Sequence, residues 1–207
     1  TASEEGIAVH LGDIPSENYD RMGFTKAVVR HVESENGWLV GTERGELFLF
    51  SSKGEQIWKR SLGIGKFISV CLSNDSQVAF VGEQSPAGNL YAIDVHTGDI
   101  LWQYAAANFV GADPSKRSYP SIVHIVDKND NVYANAYRFL MNKDGSRGYN
   151  GRMLAINRSG ELLWKYPAEE SIDSWINWCD VNDNNGEVVI STSAYDFRED
   201  MVYKDTM

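Results

Sequence analysis

Cysteine is almost missing from this 207-residue chain: only Cys71 and Cys179 occur, too few for a disulfide framework, and both read as small core residues. Proline is scarce, five residues against eighteen glycines, which excludes a proline-rich low-complexity chain and suits many short strands joined by turns. Positive charge is also short. Nineteen Lys and Arg face twenty-nine Asp and Glu, a formal net charge of −10 at pH 7, so nucleic acid is not an expected partner. No apolar run approaches the roughly 20 residues of a membrane-spanning helix, so no membrane span is expected. The opening Thr1-Ala2-Ser3-Glu4-Glu5 has neither the basic nor the apolar part of a secretory signal. Gly-x-Ser-x-Gly, a phosphate-binding glycine loop and Cys-x-x-Cys are all absent, and His10, His31, His96 and His124 stand without metal-ligand spacing. Catalytic and metal-binding residues are therefore not expected. What remains is ordinary core-forming material, 43% hydrophobic and 12% aromatic, with six tryptophans.

Those tryptophans mark a repeat. Gly45–Trp58, Gly88–Trp102 and Gly151–Trp164 align, each opening on glycine and ending on tryptophan 13, 14 and 13 residues later. Each copy reads as a hairpin. An apolar run such as Leu47–Phe50 fits a strand covered on both faces. A turn opens on Ser51, Asp94 or Asn157, whose short side chains can bond the backbone ahead, and closes on Gly54, Gly98 or Gly160. The second strand carries the tryptophan.

Two more strands precede each hairpin, near 27–32 and 38–42, 67–72 and 77–82, and 121–126 and 132–139; a fourth unit starts with 175–180 and 187–193. With strands named A to D, all four A–B connections are turn chemistry, including Asp180–Gly186, which imitates a calcium loop but has its glycine and glutamate out of place. Four-stranded units in succession predict an all-β fold, a β-propeller of four-stranded antiparallel blades with about three and a half blades present. The expected blades are 27–63, 64–107, 117–168 and an incomplete 169–207, after an N-terminal segment 1–26 that could supply a ring-closing strand. A two-sheet sandwich would not place a tryptophan at one point of every unit.

The pattern Gly-x-Leu-Tyr-Ala-Ile-Asp-x-x-Thr-Gly-x-x-x-Trp, clearest from Gly88 to Trp102, resembles the repeat of the quinoprotein-type (PQQ-like repeat) β-propellers. The third copy keeps it with Asn157 and Ser159, and the first departs further, with Phe48-Leu49-Phe50-Ser51. The resemblance implies that Trp58, Trp102 and Trp164 dock neighbouring blades together, a structural role shared with Gly54, Gly98 and Gly160. The family includes dehydrogenases that hold pyrroloquinoline quinone with calcium over the central channel, and members without cofactor that act in protein assembly or as interaction scaffolds, so fold does not settle function. The dehydrogenases' vicinal cysteines have no counterpart, since Cys71 and Cys179 are 108 residues apart. An extracytoplasmic location, periplasmic or secreted, is implied at the level of the family only.

Strands alternate in direction, so B–C and D–A loops share one face of a propeller and the A–B and C–D turns the other. The expected long insertions, 83–87, 108–120, 140–150 and 195–200, all fall in the first class. The expected working face therefore carries Arg117, Tyr119, Arg138, Lys143, Arg147, Tyr149, Trp175 and Tyr195, and its basic residues suit an acidic ligand or a protein partner. Trp175 and Trp178, three apart on one strand, are expected on opposite faces. The expected function is non-catalytic binding through these loops; the alternative is part of a quinone-dependent oxidoreductase. The fourth unit stops near where its third strand is expected, around 201–207. Three completions stay open: the rest of a larger propeller, a four-bladed ring, or a second copy.

Overall fold

A computed structural model describes residues 28–63, 65–116, 118–141, 147–169, 174–196 and 202–206. The proposed ring-closing segment 1–26 lies outside the described residues. Strands β1 (Val28–Val32), β2 (Gly37–Gly41), β3 (Glu46–Ser51) and β4 (Gln56–Ser61) form one antiparallel four-stranded sheet in sequence order. The second blade is β5 (Lys66–Leu72), β6 (Val78–Gln84), β7 (Asn89–Asp94) and β8 (Ile100–Ala105). The third is β9 (Ser121–Lys128), β10 (Asn131–Met141), β11 (Arg147–Asn157) and β12 (Leu162–Tyr166). A single pair, Gln84 with Ser121, links those two into one eight-stranded sheet. The fourth comprises β13 (Trp175–Val181), β14 (Val188–Asp196) and β15 (Val202–Thr206). The chain is thus an all-β propeller segment, and its fourth blade does reach a third strand. The four-residue helix α1 (Ala107–Val110) and a 3₁₀ turn (Pro114–Lys116) interrupt the strands.

The core lies between blades, not within them. One cluster joins Leu39, Leu47, Leu49 and Trp58 of the first blade to Phe67, Val81, Tyr91 and Ile93 of the second. The next joins Phe80, Leu90 and Ala92 to Ile122, Val132, Leu154 and Ile156, and the last joins Tyr133, Met153 and Ala155 to Ile176, Cys179 and Val181. Middle strands therefore bury both faces: Leu90, Tyr91, Ala92 and Ile93 are all 2% exposed or less. This is why their sequence reads as a continuous apolar run instead of alternating. Each fully buried Leu- or Ile-sized side chain contributes about 1.5–3 kcal/mol.

Bulges recur at equivalent places. In each D strand an extra residue, Ile57, Leu101 or Leu163, is inserted immediately before the tryptophan. Those three apolar side chains are 45%, 52% and 46% exposed, while the added twist re-aims the tryptophan at the following blade. The Trp58 indole donates from Nε1 to the Val95 carbonyl at 2.8 Å, and Trp102 to the Arg158 carbonyl at 3.1 Å. Each acceptor is the residue just after the Asx that opens the next blade's turn. In those turns the Asp94 carboxylate accepts from Thr97 N and the Asn157 carbonyl from Glu161 N, both at 2.8 Å. The two-residues-later side chain bonds the glycine carbonyl: Arg60 to Gly98 at 3.1 Å and Tyr104 to Gly160 at 2.9 Å.

Gly98 and Gly160 take φ +73° and +86°, and a Cβ on them would stand 2.9 Å from Trp58 and 2.6 Å from Trp102. Trp164, by contrast, is 40% exposed, and no matching turn of the fourth blade is among the described residues. Gly186 has φ +70° with nothing within 4 Å of its virtual Cβ, which makes it a control. Gly186→Ala is expected to cost about 1 kcal/mol, and Gly98→Ala or Gly160→Ala about 2–4 kcal/mol, by urea unfolding. Equal losses at all three would show that the indole contact adds nothing to the backbone term.

Candidate binding face

The A–B and C–D turns are tied to one another. Ser34 donates to the Ser76 carbonyl at 2.9 Å, and His96 lies 3.2 Å from Glu35, both linking the first blade's A–B turn to the second blade. Lys128 reaches Asp183 at 2.9 Å across the third and fourth blades, and Arg60 reaches Asp99 at 3.1 Å. Within the third blade Arg158 holds Asp127 at 2.7 Å, and Asp127 is buried. Burial pushes the Asp127 carboxyl above its ordinary range, and the neighbouring guanidinium opposes that rise. Most of this face's charges are already spent on its own turns.

The opposite face is organised differently. In the second blade's B–C loop, buried Glu83 accepts from Ser85 Oγ at 2.7 Å, from Asn89 N at 3.1 Å and from Asn89 Nδ2 at 2.7 Å. Tyr91, close by, is pushed up to about 12, first by burial and then by the Glu83 charge. The segment 106–120 is anchored at its start by Ala106 N to Gly88 O (3.1 Å) and Ala107 N to Ala87 O (3.0 Å). Near its end Asp113 and Ser118 exchange backbone bonds at 2.9 and 3.0 Å, and the Ser118 hydroxyl bonds the Phe139 carbonyl. The last carbonyl of α1, Val110 O, accepts from Arg138 Nε at 2.9 Å and from Asn150 Nδ2 at 3.1 Å. Helix ends leave such carbonyls without partners in the helix, and two side chains of the next blade supply them.

Several sequence expectations need correction here. In the insertion expected over 140–150 the described residues are strand: β10 and β11 pair from Asn131 with Asn157 out to Met141 with Arg147. Continuous backbone pairing over eleven residues carries the hairpin past Phe139 to Met141. Arg138 pairs with Asn150 and Phe139 with Tyr149, so Arg138 and Tyr149 lie on opposite faces of the hairpin and do not share a surface. Tyr149 is 2% exposed and packs on Phe139, centroids 5.1 Å apart, so it is core and not a loop residue. Tyr195 is not in a loop either, since it pairs with Tyr203 between β14 and β15. Arg147 and Trp175 lie on strands β11 and β13. Arg117 and Lys143 lie outside the described residues. Tyr119 is half-buried, one residue from Ser118 and so beside the Arg138 strand.

The bulge in β13 falls between Ile176 and Trp178 and interrupts the strand's regular alternation. Equivalent bulges occur in β5 and β9. The residue after each bulge reaches the next blade's first strand: Ser69 Oγ donates to Ile122 O at 2.6 Å, and His124 Nε2 stands 3.4 Å from Cys179 O. His124 also stacks on Trp178, centroids 4.0 Å apart at 24°. Opposite these post-bulge residues the second strands carry Gly82 in the second blade but Asn135 in the third, fully buried. Sequence reading missed His124, Asn135 and Trp178 as a cluster. The available signal was this departure from glycine at one repeat position. Cys179, beside them, is pushed up to about 12, chiefly by burial, so its thiol is not nucleophilic at neutral pH.

The family model described as outer membrane protein assembly factor BamB, of the PQQ-like repeat type, matches residues 14–203, nearly the whole repeat. The chain belongs to this BamB/PQQ-like repeat family. Its fold is similar to the β-propeller domain of Myceliophteria thermophila Cps50 (Swd1), 11% identical, covering 92% of this chain and 55% of that one, TM-score 0.51. It is also similar to Chaetomium thermophilum Sqt1, 11% identical, covering 81% and 42%, TM-score 0.51. A quinohemoprotein alcohol dehydrogenase from Comamonas testosteroni is 13% identical over 82% of this chain and 32% of its own, TM-score 0.49. The chain thus spans about half or less of these proteins' lengths, and the likeness is one of fold. No curated protein matches it.

Within this BamB-type repeat, His124 gives the cluster a pH signature. Burial holds its imidazole below the ordinary 6.5, against the opposing pull of the Cys179 carbonyl and the Asp180 charge. The folded state therefore binds fewer protons than the unfolded one in that window. Its stability contribution is full above pH 6.5 and is lost as pH falls through the lowered folded value. Urea unfolding from pH 7.5 to 5 should show this loss in the wild type and not in His124→Gln; identical pH slopes would contradict the assignment.

Proposed function

We propose that this chain is a non-catalytic binding segment of a BamB/PQQ-like propeller, engaging a protein partner or acidic ligand through its B–C and D–A loop face. The observation that supports this reading is the contrast between faces. The turn face uses Glu35, Arg60, Asp99, Lys128, Asp183 and Ser34 to bind itself together. The loop face instead presents an ordered insertion braced on a long hairpin, with Arg138 and Tyr119 on the same edge. Loops fixed on a rigid scaffold are where recognition is usually placed. In this reading Trp58 and Trp102 dock blades together on the turns of Gly98 and Gly160 and take no part in recognition. The family's described role in outer-membrane assembly supports a location outside the cytoplasm for this chain. No described helix is long and apolar enough to cross a membrane.

The enzyme alternative asks for pyrroloquinoline quinone with calcium. Among the described residues no group of three His, Cys, Asp or Glu side chains could hold a metal ion, and Cys71 and Cys179 lie on different blades. No oxidative step is therefore derived. An absorbance titration with pyrroloquinoline quinone and calcium should give no saturable change; saturation would favour the oxidoreductase.

The face assignment is tested by charge reversal. Arg117→Glu, Arg138→Glu and Arg147→Glu together should abolish retention of whatever the wild type retains from source-cell extract, scored band by band. Lys53→Glu with Lys165→Glu, outside the loop face, should leave retention unchanged. Loss with the second set alone would contradict the reading.

A further inference from the structure

Resting on that reading of the loop face, we propose that Arg138 is a pre-set receptor for a carboxylate, taken end-on by its two Nη groups from an acidic segment of the partner. Three observations carry it. First, the guanidinium is fixed: its Nε is committed to Val110 O at 2.9 Å, and Asn150 shares that acceptor at 3.1 Å. Second, the backbone lies flat against it. Gly111 takes φ +73°, and a Cβ there would stand 3.0 Å from Nη2 and 3.4 Å from Cζ, so only glycine allows this approach. Third, the Nη groups have no acidic partner among the described residues, although the chain carries ten more acidic than basic residues.

That third point separates Arg138 from its neighbours in the fold. Arg60 is paired with Asp99, Arg158 with Asp127 and Lys128 with Asp183, while Arg152 bonds the carbonyls of Ala168 and Glu169. In an acid-rich chain, a half-buried arginine held in one orientation and without a carboxylate among the described residues is a receptor geometry. A guanidinium whose Nε is occupied still offers one N–H from each Nη in parallel, the fork that matches a carboxylate's two oxygens. Lysine cannot reproduce the fork. Most of the ordering cost is met before the partner arrives.

The carboxylate could belong to a peptide side chain or to a free small acid, and the test separates them. A fluorescein-labelled hexaglutamate peptide is titrated into the full chain by anisotropy, with succinate as competitor. Saturable binding is expected, weakened at least about tenfold in Arg138→Lys and further in Arg138→Gln. Gly111→Ala, which keeps the charge but displaces the fork, should also weaken it several-fold, and near-UV circular dichroism checks that each variant is folded. Displacement by millimolar succinate would assign the site to small acids; its failure to displace would assign it to an acidic segment. Absence of binding to the wild type, or equal binding by wild type, Arg138→Lys and Gly111→Ala, would overturn the proposal. If the peptide binds but Lys53→Glu with Lys165→Glu abolishes binding while Arg138→Gln does not, the loop-face reading itself fails.

Discussion

The fold depends on how one blade meets the next, and at the first two of those meetings an indole is laid on a glycine. A four-stranded blade of some forty residues buries too little on its own to be stable, so its faces must be covered by neighbours. Trp58 and Trp102 supply that cover at the outer rim, each with one hydrogen bond to a turn carbonyl and one flat face against Gly98 or Gly160. The side chain two residues on, Arg60 or Tyr104, adds a second bond to the same glycine's carbonyl. Two anchor points on one turn fix both distance and rotation, which a greasy face alone would not.

From that constraint the remaining order follows outward. Because each tryptophan must face forward, each D strand carries a bulge just before it, and an apolar residue is left in solvent as a consequence. Because blades stack by their middle strands, the short turns of adjacent blades come within reach and bind one another through Glu35, Lys128 and Asp183. The other ends of the strands remain available for elaboration. There the second blade's connection carries α1 into contact with the third blade's hairpin, and Val110 O becomes the point where Arg138 and Asn150 converge.

Much of the fold was legible because the repeat encodes it locally. Asp94, Asn157 and the glycines at 98 and 160 declare their turns by side-chain chemistry, and strand A and B positions fell within a few residues of β5, β6, β9 and β10. The bulges were not legible. A single inserted residue leaves no compositional mark, and the one in β13 interrupts the regular alternation that a strand reading relies on. The loop face was read less well, since the stretch 140–150 resembles a loop in composition, while the pairing that makes Leu140, Met141 and Arg147–Asn150 strand joins residues across a hairpin. Arg138 was picked out by its place in the chain, but nothing local showed that Val110 O, 28 residues earlier, would hold it. His124 with Asn135 was visible only by comparing the same position across blades.

Indole N–H exchange tests the central claim most directly, using ¹⁵N-labelled tryptophan and two-dimensional NMR on the folded chain. If inter-blade docking governs the fold, the Nε1 protons of Trp58 and Trp102 exchange only with global unfolding, while that of Trp164, 40% exposed, exchanges far faster. If all three exchange alike, the indoles are not held by neighbouring turns, and the account of how the blades are joined is wrong.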